Sequence, residues 1–198
     1  MRRYYEELWR ELPATLEPPD RRLRLEFMRA HVAAGERVLD LGCGEGWATA
    51  ELDALGTTVV GAEVAAAAIE RARRRHPGLD FRLAEIDGEL PFADNDFDVV
   101  WASEVIEHVG DTARWLSEVR RVLRPGGRVL VTTPNHSRLR LLIAGIELYS
   151  EPLGDHLHLY SAVSLRGLLA DFGFGGIEIS GAGGPPLARR LLLASATR

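Results

Sequence analysis

The chain has 198 residues, 46% of them hydrophobic and 27% charged, which fits one large globular domain with a buried core. No apolar run reaches the about 18 residues of a membrane span, and no signal-peptide core follows the N-terminus, so we expect a cytoplasmic protein without an integral membrane segment. The net charge of −5 argues against nucleic acid as a partner, and the lone Cys43 excludes a disulfide framework or a cysteine metal site.

Helices and strands are expected to alternate along the chain. The first twenty residues predict a short amphipathic helix followed by turns, and Arg21 to Val32 predict a second helix. The remaining predicted elements are, in chain order, strand 37–41, helix 47–55, strand 58–63, helix 65–75, strands 80–84 and 97–102, helix 111–123, strand 128–133, a helix from Ser161 to Gly173, and strands 177–180 and 190–196. This alternation predicts a parallel sheet with helices on both faces, closed by an antiparallel pair.

The segment Val38–Gly46 is the most informative part of the sequence, because it leads from a strand into a helix through three glycines. A dinucleotide-binding turn carries Gly-x-Gly-x-x-Gly, whereas here the third glycine comes one residue early and Trp47 stands in its place. Asp40 precedes the glycines, where an acid repels a pyrophosphate but suits a cofactor that bears an ammonium group. S-adenosylmethionine carries an ammonium, a sulfonium and a carboxylate, and no phosphate.

From about Val32 to its C-terminus, the chain resembles the class I S-adenosylmethionine-dependent methyltransferases, including small-molecule enzymes of quinone pathways. The resemblance implies an α/β fold: a Rossmann-like, doubly wound, seven-stranded sheet of order 3-2-1-4-5-7-6, mostly parallel with the last strand antiparallel, and helices on both faces. It also implies a single domain over 1–198, with an N-terminal helical cap at 1–32 and a lid or acceptor insertion at about 134–160. The implied cofactor is S-adenosyl-L-methionine.

The same resemblance implies cofactor contacts at the ends of successive strands. Glu63 ends the second strand and binds the ribose, and either Glu85 or Asp87 accepts from the adenine amino group after the third. The end of the fourth strand lies beside the methionine portion. The expected cofactor-binding residues are Asp40, Gly42, Cys43, Gly44, Gly46, Glu63, Val64, Glu85, Ile86, Asp87, Ser103 and Glu104.

Two histidines are candidate catalytic residues. Methyl transfer is an in-line displacement, and it needs a base only where the acceptor holds a proton that must leave. His108 lies in a Glu-His-Val segment similar to that of quinone-pathway methyltransferases, and His136 follows the fifth strand. A hydrogen bond that holds the loop after the fourth strand is the alternative role of His108.

The acceptor pocket is expected to involve the N-terminal segment and the insertion. Arg138 to Tyr149 predict a largely apolar lid helix, which either packs on the core, lines a pocket for a lipophilic or aromatic acceptor, or touches a membrane surface. The expected acceptor-pocket residues are Tyr5, Trp9, Tyr149, His156 and Tyr160.

The pair His156 and His158 has a spacing that also suits a metal, with Asp155 or Glu151 as an added carboxylate. Packing of the insertion explains the pair better, so the sequence assigns no metal.

The leading hypothesis is methyl transfer to oxygen, nitrogen or carbon of a small molecule, by a monomer or homodimer. The rivals are a nicotinamide-dependent oxidoreductase, a cofactor-binding module without catalysis, and methylation of nucleic acid or protein. The Asn/Asp-Pro-Pro-Tyr/Phe motif of enzymes that methylate base amino groups is replaced here by Ser103–Ile106, which argues against that chemistry.

Overall fold

The computed structural model describes residues 2–13, 20–85, 88–137, 141–142 and 156–198. The helices of these residues are α1 (Arg2–Glu11), α2 (Arg21–His31), α3 (Trp47–Ala54), α4 (Ala66–Arg75), α5 (Thr112–Val122) and α6 (Ala162–Asp171). The strands are β1 (Arg37–Leu41), β2 (Thr58–Glu63), β3 (Asp80–Leu83), β4 (Phe97–Ser103), β5 (Leu123–Pro134), β6 (Gly175–Ala182) and β7 (Leu191–Thr197).

The strands form one seven-stranded sheet of order β3-β2-β1-β4-β5-β7-β6, which confirms the predicted order. The first five strands in that order pair in parallel, and β7 pairs antiparallel with both β5 and β6. The strand order reverses between β1 and β4, and ligands of such sheets bind at this reversal, outside the carboxyl ends of the strands.

Helices cover both faces of the sheet, as the alternation of the sequence predicted. Leu39 and Leu41 of β1 belong to the buried cluster that contains Trp115 of α5 and residues of α6. Val38, which precedes Leu39, belongs to a second cluster with Phe27 of α2 and residues of α3. Because side chains alternate along a strand, β1 separates these two clusters.

The start of β5 differs from the prediction. The sequence placed Leu123 in the preceding helix and began the strand at Arg128, whereas Leu123 already pairs with Phe97 and opens β5. A register shift between Phe97 and Val99 accommodates the Pro125–Gly127 turn within the strand. The pairing partner across the sheet therefore decides the conformation here, against the helical periodicity.

Side chains cap two of the helices at their N-termini. Asp111 accepts from the amide of Arg114 at the start of α5, and Ser161 forms a reciprocal capping box with Ser164 at the start of α6. Most of the predicted insertion lies outside the described residues, as does the proposed lid helix except for residues 141–142. In the part of the chain that the structure describes, no helix is both long and apolar enough to cross a membrane.

Candidate active site

A cleft of about 240 Å³ opens at the carboxyl ends of β1, β2, β3 and β4, with α1 across it. It lies where the strand order reverses, at the position that the fold predicts for a ligand. The residues that line it are Arg2, Tyr5, Leu8, Trp9, Leu12, Gly42, Gly44, Glu63, Val64, Glu85, Glu104, Val105, His108 and Val109. The cleft therefore collects predicted cofactor residues from four strand ends and predicted acceptor residues from α1.

The glycine loop between β1 and α3 is tightly packed. Gly44 has a φ of +54°, and a Cβ there would lie 2.9 Å from Trp9 Cζ2 of α1, so a side chain would meet both backbone strain and a clash. The amides of Gly42 and Cys43 both donate to the Ala62 carbonyl, at 2.8 and 3.1 Å. The Gly44 amide donates to Glu63 Oε2 at 3.1 Å. These loop amides are thus committed to protein oxygens.

Asp40 lies beneath the glycine loop and is absent from the wall of the cleft. Its side chain is 2% exposed and accepts from Thr49 Oγ1 in α3 at 2.6 Å. Burial raises the pKa of Asp40 from 3.8 to about 7, against the Thr49 hydrogen bond, which lowers it. The direct cofactor contact that the sequence assigns to Asp40 stays a prediction.

Two further loop residues face away from the cleft. Cys43 is buried and packs with Ile69, Ala72 and Phe81 between α4 and β3, and burial raises the pKa of its thiol. Gly46 adopts a φ of +87° directly before α3, where a Cβ would lie 2.7 Å from Phe81 Cζ. Both residues shape the loop from behind.

Glu63 lies in the cleft wall, but three amides already bind its carboxylate. Oε1 accepts from Val64 and Ala65, at 2.7 and 3.1 Å, and Oε2 accepts from Gly44. A carboxylate offers about four acceptor positions, so about one remains, on Oε2. Burial raises the pKa of Glu63, while these amide hydrogen bonds lower it.

Glu104 follows β4 in a left-handed conformation, with a φ of +55°. Its carboxylate pairs with Arg24 of α2 at 3.1 Å and accepts from Thr132 Oγ1 at 3.1 Å. Burial raises the pKa of Glu104, and the Arg24 charge opposes that shift. The Ser103 hydroxyl forms a hydrogen bond with Thr132 Oγ1 at 2.8 Å, and the contact between Ser103 and the cofactor stays a prediction.

The helix α1 closes the cleft through exposed contacts. Arg2 binds Glu85 at 2.9 Å, with both side chains more than half exposed, at 53% and 56%. Trp9 lies on Gly44, and the ring of Tyr5 stands edge-on to that of His108 at 6.0 Å. No residue of α1 is fully buried. The helix therefore covers the cleft without belonging to the core.

Of the two candidate catalytic histidines, His108 lines the cleft and His136 does not. His136 is 4% exposed, and its backbone amide donates to the Tyr160 carbonyl at 2.7 Å. Tyr160 is itself buried in the main core, and burial raises the pKa of its hydroxyl. Catalytic roles for either histidine remain predictions.

Next to His108, Glu107 is completely buried and accepts from Thr133 Oγ1 at 3.0 Å. Burial raises the pKa of Glu107 well above its usual value, and the Glu104 carboxylate adds to that shift. The His156 ring stands edge-to-face on the His108 ring with centroids 4.6 Å apart. His156 therefore lies behind the cleft wall. The predicted site residues Ile86, Asp87 and Tyr149 lie outside the described residues.

Sequence reasoning missed Arg2, Arg24 and Glu107. Arg24 carried a detectable signal, because it shares a helix face with the apolar residues Phe27 and Met28, three and four positions later. A charge on an apolar helix face needs a partner. The Arg2–Glu85 pair joins residues 83 positions apart and has no local signal.

The fold and cleft place the chain in the class of Rossmann-like methyltransferases, and comparison with known proteins gives the family. The methyltransferase-domain family model matches residues 1–179. A probable S-adenosylmethionine-dependent methyltransferase of Mycolicibacterium smegmatis is 42% identical over 116 residues, which are 58% of this chain and 45% of that protein. A demethylmenaquinone methyltransferase of Clavibacter sepedonicus is 36% identical over 126 residues, covering 63% and 51%.

A solved S-adenosylmethionine-dependent methyltransferase of Mesorhizobium loti superimposes with a TM-score of 0.72 at 24% identity, covering 86% of this chain and 95% of that one. That likeness supports the fold alone. The chain therefore belongs to the class I S-adenosylmethionine-dependent methyltransferases, and S-adenosylmethionine is its cofactor. It spans about half the length of the curated relatives it matches.

Proposed function

We propose that this protein transfers the methyl group of S-adenosylmethionine to a small molecule bound in the cleft under α1. The observation that carries the proposal is the cover formed by α1, which contacts Glu85, Gly44 and His108 along the cleft. A polymer would keep this helix away from the cleft throughout the reaction, whereas the helix can close again over a small acceptor. Enclosure also excludes water from the reacting methyl group.

The charge of the cleft suits a cationic cofactor. The carboxyl groups of Glu63, Glu85 and Glu104 lie in its wall, and Asp40 lies beneath the loop. Arginines pair with Glu85 and Glu104, so the negative charge comes from Glu63 and Asp40, whose hydrogen bonds among the described residues come from amides and a hydroxyl group. A pyrophosphate would meet this negative charge and would find the amides of Gly42 to Gly44 already bonded. The arrangement therefore favours S-adenosylmethionine over a nicotinamide dinucleotide.

The cofactor assignments follow the strand ends. We place the ribose at Glu63, where the remaining acceptor position on Oε2 takes one hydroxyl group. The adenine lies towards Glu85, which Arg2 holds at the outer end of α1. The methionine portion lies between Gly42 and Glu104, and Asp40 acts on its ammonium group electrostatically from beneath the loop.

The acceptor lies on the His108 side of the cleft. Val105, Val109, Leu8 and Tyr5 add apolar surface there, which supports a lipophilic or aromatic acceptor. The name of the demethylmenaquinone methyltransferase relative, which refers to an aromatic lipid, agrees with that class. Loss of the acceptor proton depends on His108.

The helix α1 must move for turnover. With α1 in this position the cleft encloses about 240 Å³, below the about 300–1,000 Å³ typical of pockets that enclose a drug-sized ligand. Cofactor and acceptor together need more room than this. The Arg2–Glu85 ion pair is exposed, and ion pairs of this kind stabilise a structure by at most about 1 kcal/mol. This weak contact allows α1 to open readily.

The test combines binding with turnover. Calorimetric titration should show binding of S-adenosylmethionine and no binding of NAD⁺, and a panel of phenolic and quinol acceptors should yield S-adenosylhomocysteine with at least one member. His108→Ala should retain cofactor affinity and lose turnover, while His31→Ala, at the far end of α2, should retain both. Binding of NAD⁺ alone, or full turnover by His108→Ala, would contradict the proposal.

A further inference from the structure

Three side chains with metal-ligating atoms meet at the His108 wall of the cleft. One ligand atom each of Glu107, His108 and His156 lies within 4.8 Å of the others. Two imidazoles and one carboxylate are donors that suit divalent first-row transition ions, whereas Mg²⁺ and Ca²⁺ prefer oxygen ligands alone. This set differs from the His156–His158 pair considered from the sequence, because His158 Nε2 is instead engaged with the Val109 carbonyl at 3.0 Å.

Glu107 provides the independent observation that points to a ligand. The residue is 0% exposed, and its Oε2 accepts from Thr133, while its Oε1 has no hydrogen-bond partner among the residues that the structure describes. Oε1 faces His108 Nε2 at 4.0 Å, which is beyond hydrogen-bonding distance. Buried side-chain oxygens are nearly always satisfied in folded proteins, and a buried carboxylate is costly without a partner. A cation between Oε1 and the imidazoles would supply that partner.

The backbone holds the three residues in place. The Glu107 carbonyl accepts from the amides of Leu157 and His158, at 2.8 and 3.1 Å. These bonds draw the segment that carries His156 against the loop after β4. The cluster thus joins two distant parts of the chain through main-chain contacts that do not depend on the ligand atoms.

We propose that Glu107, His108 and His156 bind one divalent transition-metal ion, such as Zn²⁺, at the wall of the cleft. Ligand bonds of about 2.0–2.1 Å in a tetrahedral site place the ligand atoms about 3.3 Å apart. The 4.0 Å separation of Glu107 Oε1 and His108 Nε2 must therefore shorten by less than about 1 Å, which side-chain rotation provides. Three protein ligands leave the fourth position open, as in catalytic zinc sites.

The catalytic role of this ion rests on the proposed function. An acceptor hydroxyl in the open position would have its pKa lowered by the ion and would lose its proton to water. The resulting oxyanion attacks the methyl carbon, and the electron pair of the carbon–sulfur bond stays on sulfur as a neutral thioether. His108 then acts as a ligand of the ion, and the acceptor class is a hydroxyl compound.

Direct metal binding tests the proposal. The full chain, prepared without a histidine tag and stripped with a chelator, is titrated with Co²⁺ and followed by visible absorption, with Zn²⁺ as competitor. We expect one Co²⁺ per chain, displaced by Zn²⁺. Glu107→Gln and His156→Ala should each weaken metal binding by more than about tenfold. Substitution of residues that only hydrogen-bond to metal ligands already weakens metal affinity by about tenfold or more. His31→Ala is the matched histidine control.

Two results would overturn the metal site: failure of both ions to bind the wild type, or wild-type affinity in a His156→Ala variant that circular dichroism shows to be folded. The His156 ring is only partly buried. Cofactor binding is measured by calorimetry on the same stripped samples. Metal binding without cofactor binding would refute the proposed function and keep the ion site. Cofactor binding and turnover in the presence of chelator, without metal binding, would refute the ion site and keep the proposed function.

Discussion

Replacing Asp40 with Asn should change how stability depends on pH. The pKa of Asp40 is about 7 in the folded protein, against 3.8 for an ordinary aspartate, because the carboxyl group is wholly buried. Between these values the folded state keeps a proton that the unfolded state loses, so the free energy of unfolding falls as pH rises. The full loss is about 4 kcal/mol at about 1.4 kcal/mol for each pH unit. Asn is neutral and has no such loss.

Urea unfolding at several pH values measures this effect. Between pH 5.5 and 8.5 the wild type should lose about 2 kcal/mol relative to Asp40→Asn, nearly all of it below about pH 7.5. The Asn side chain can accept from Thr49 Oγ1 but not from every donor to Asp40. The free energy of unfolding lost with the missing hydrogen bond does not depend on pH. The slope is therefore the diagnostic quantity. Equal slopes in both proteins would refute the argument that Asp40 is buried and largely protonated at acidic pH.

Cofactor binding should remove the proton from the Asp40 carboxyl group. At pH 6.5, about three quarters of the Asp40 carboxyl groups carry a proton if the pKa is about 7. An ammonium group above the loop favours the ionised form, so binding should release a proton into the buffer. Calorimetry in two buffers of different ionisation enthalpy counts this release, and Asp40→Asn should show less of it. Equal release in both proteins would remove Asp40 from cofactor recognition.

Three further predictions concern the contacts around the cleft. Gly44→Ala should weaken cofactor binding strongly, because the added Cβ meets Trp9 at 2.9 Å. In a double-mutant cycle, the loss of binding free energy caused by Gly44→Ala should be smaller in the Trp9→Ala background. Additive losses would contradict this contact. Arg24→Gln should destabilise the fold by about 3 kcal/mol in urea unfolding, since it leaves Glu104 without its partner, and adding Glu104→Gln should recover part of that loss. Arg2→Ala should speed cofactor dissociation in stopped flow with little change in melting temperature, because the Arg2–Glu85 pair is exposed, and an unchanged rate would show that this pair does not hold α1.

The strands and most helices could be predicted because each has a local signal. Short buried apolar runs mark β1 and β4, and capping residues mark α5 and α6. The start of β5 could not be predicted, because Leu123 takes its conformation from Phe97 on the neighbouring strand. The position of the cleft could be predicted from the sequence, because the ends of the strands bring Gly42, Glu63 and Glu104 to one edge of the sheet.

The position of Asp40 also follows from strand geometry. Leu39 and Leu41 face the cluster beneath α5, so the side chain between them must face the opposite side, where α3 presents Thr49. The cover by α1 and the meeting of Glu107 with His156 depend on tertiary contacts. No local pattern reports such contacts, because the partners are far apart in the chain.

The proposed function requires the cleft between the glycine loop and α1 to hold S-adenosylmethionine. A crystal structure of the chain with bound S-adenosylhomocysteine tests it most directly. We expect the ribose within hydrogen-bonding distance of Glu63 Oε2, the amino-acid portion between Gly42 and Glu104, and α1 displaced outward from its present contact with Gly44. Density for the ligand outside this cleft would refute the proposed function.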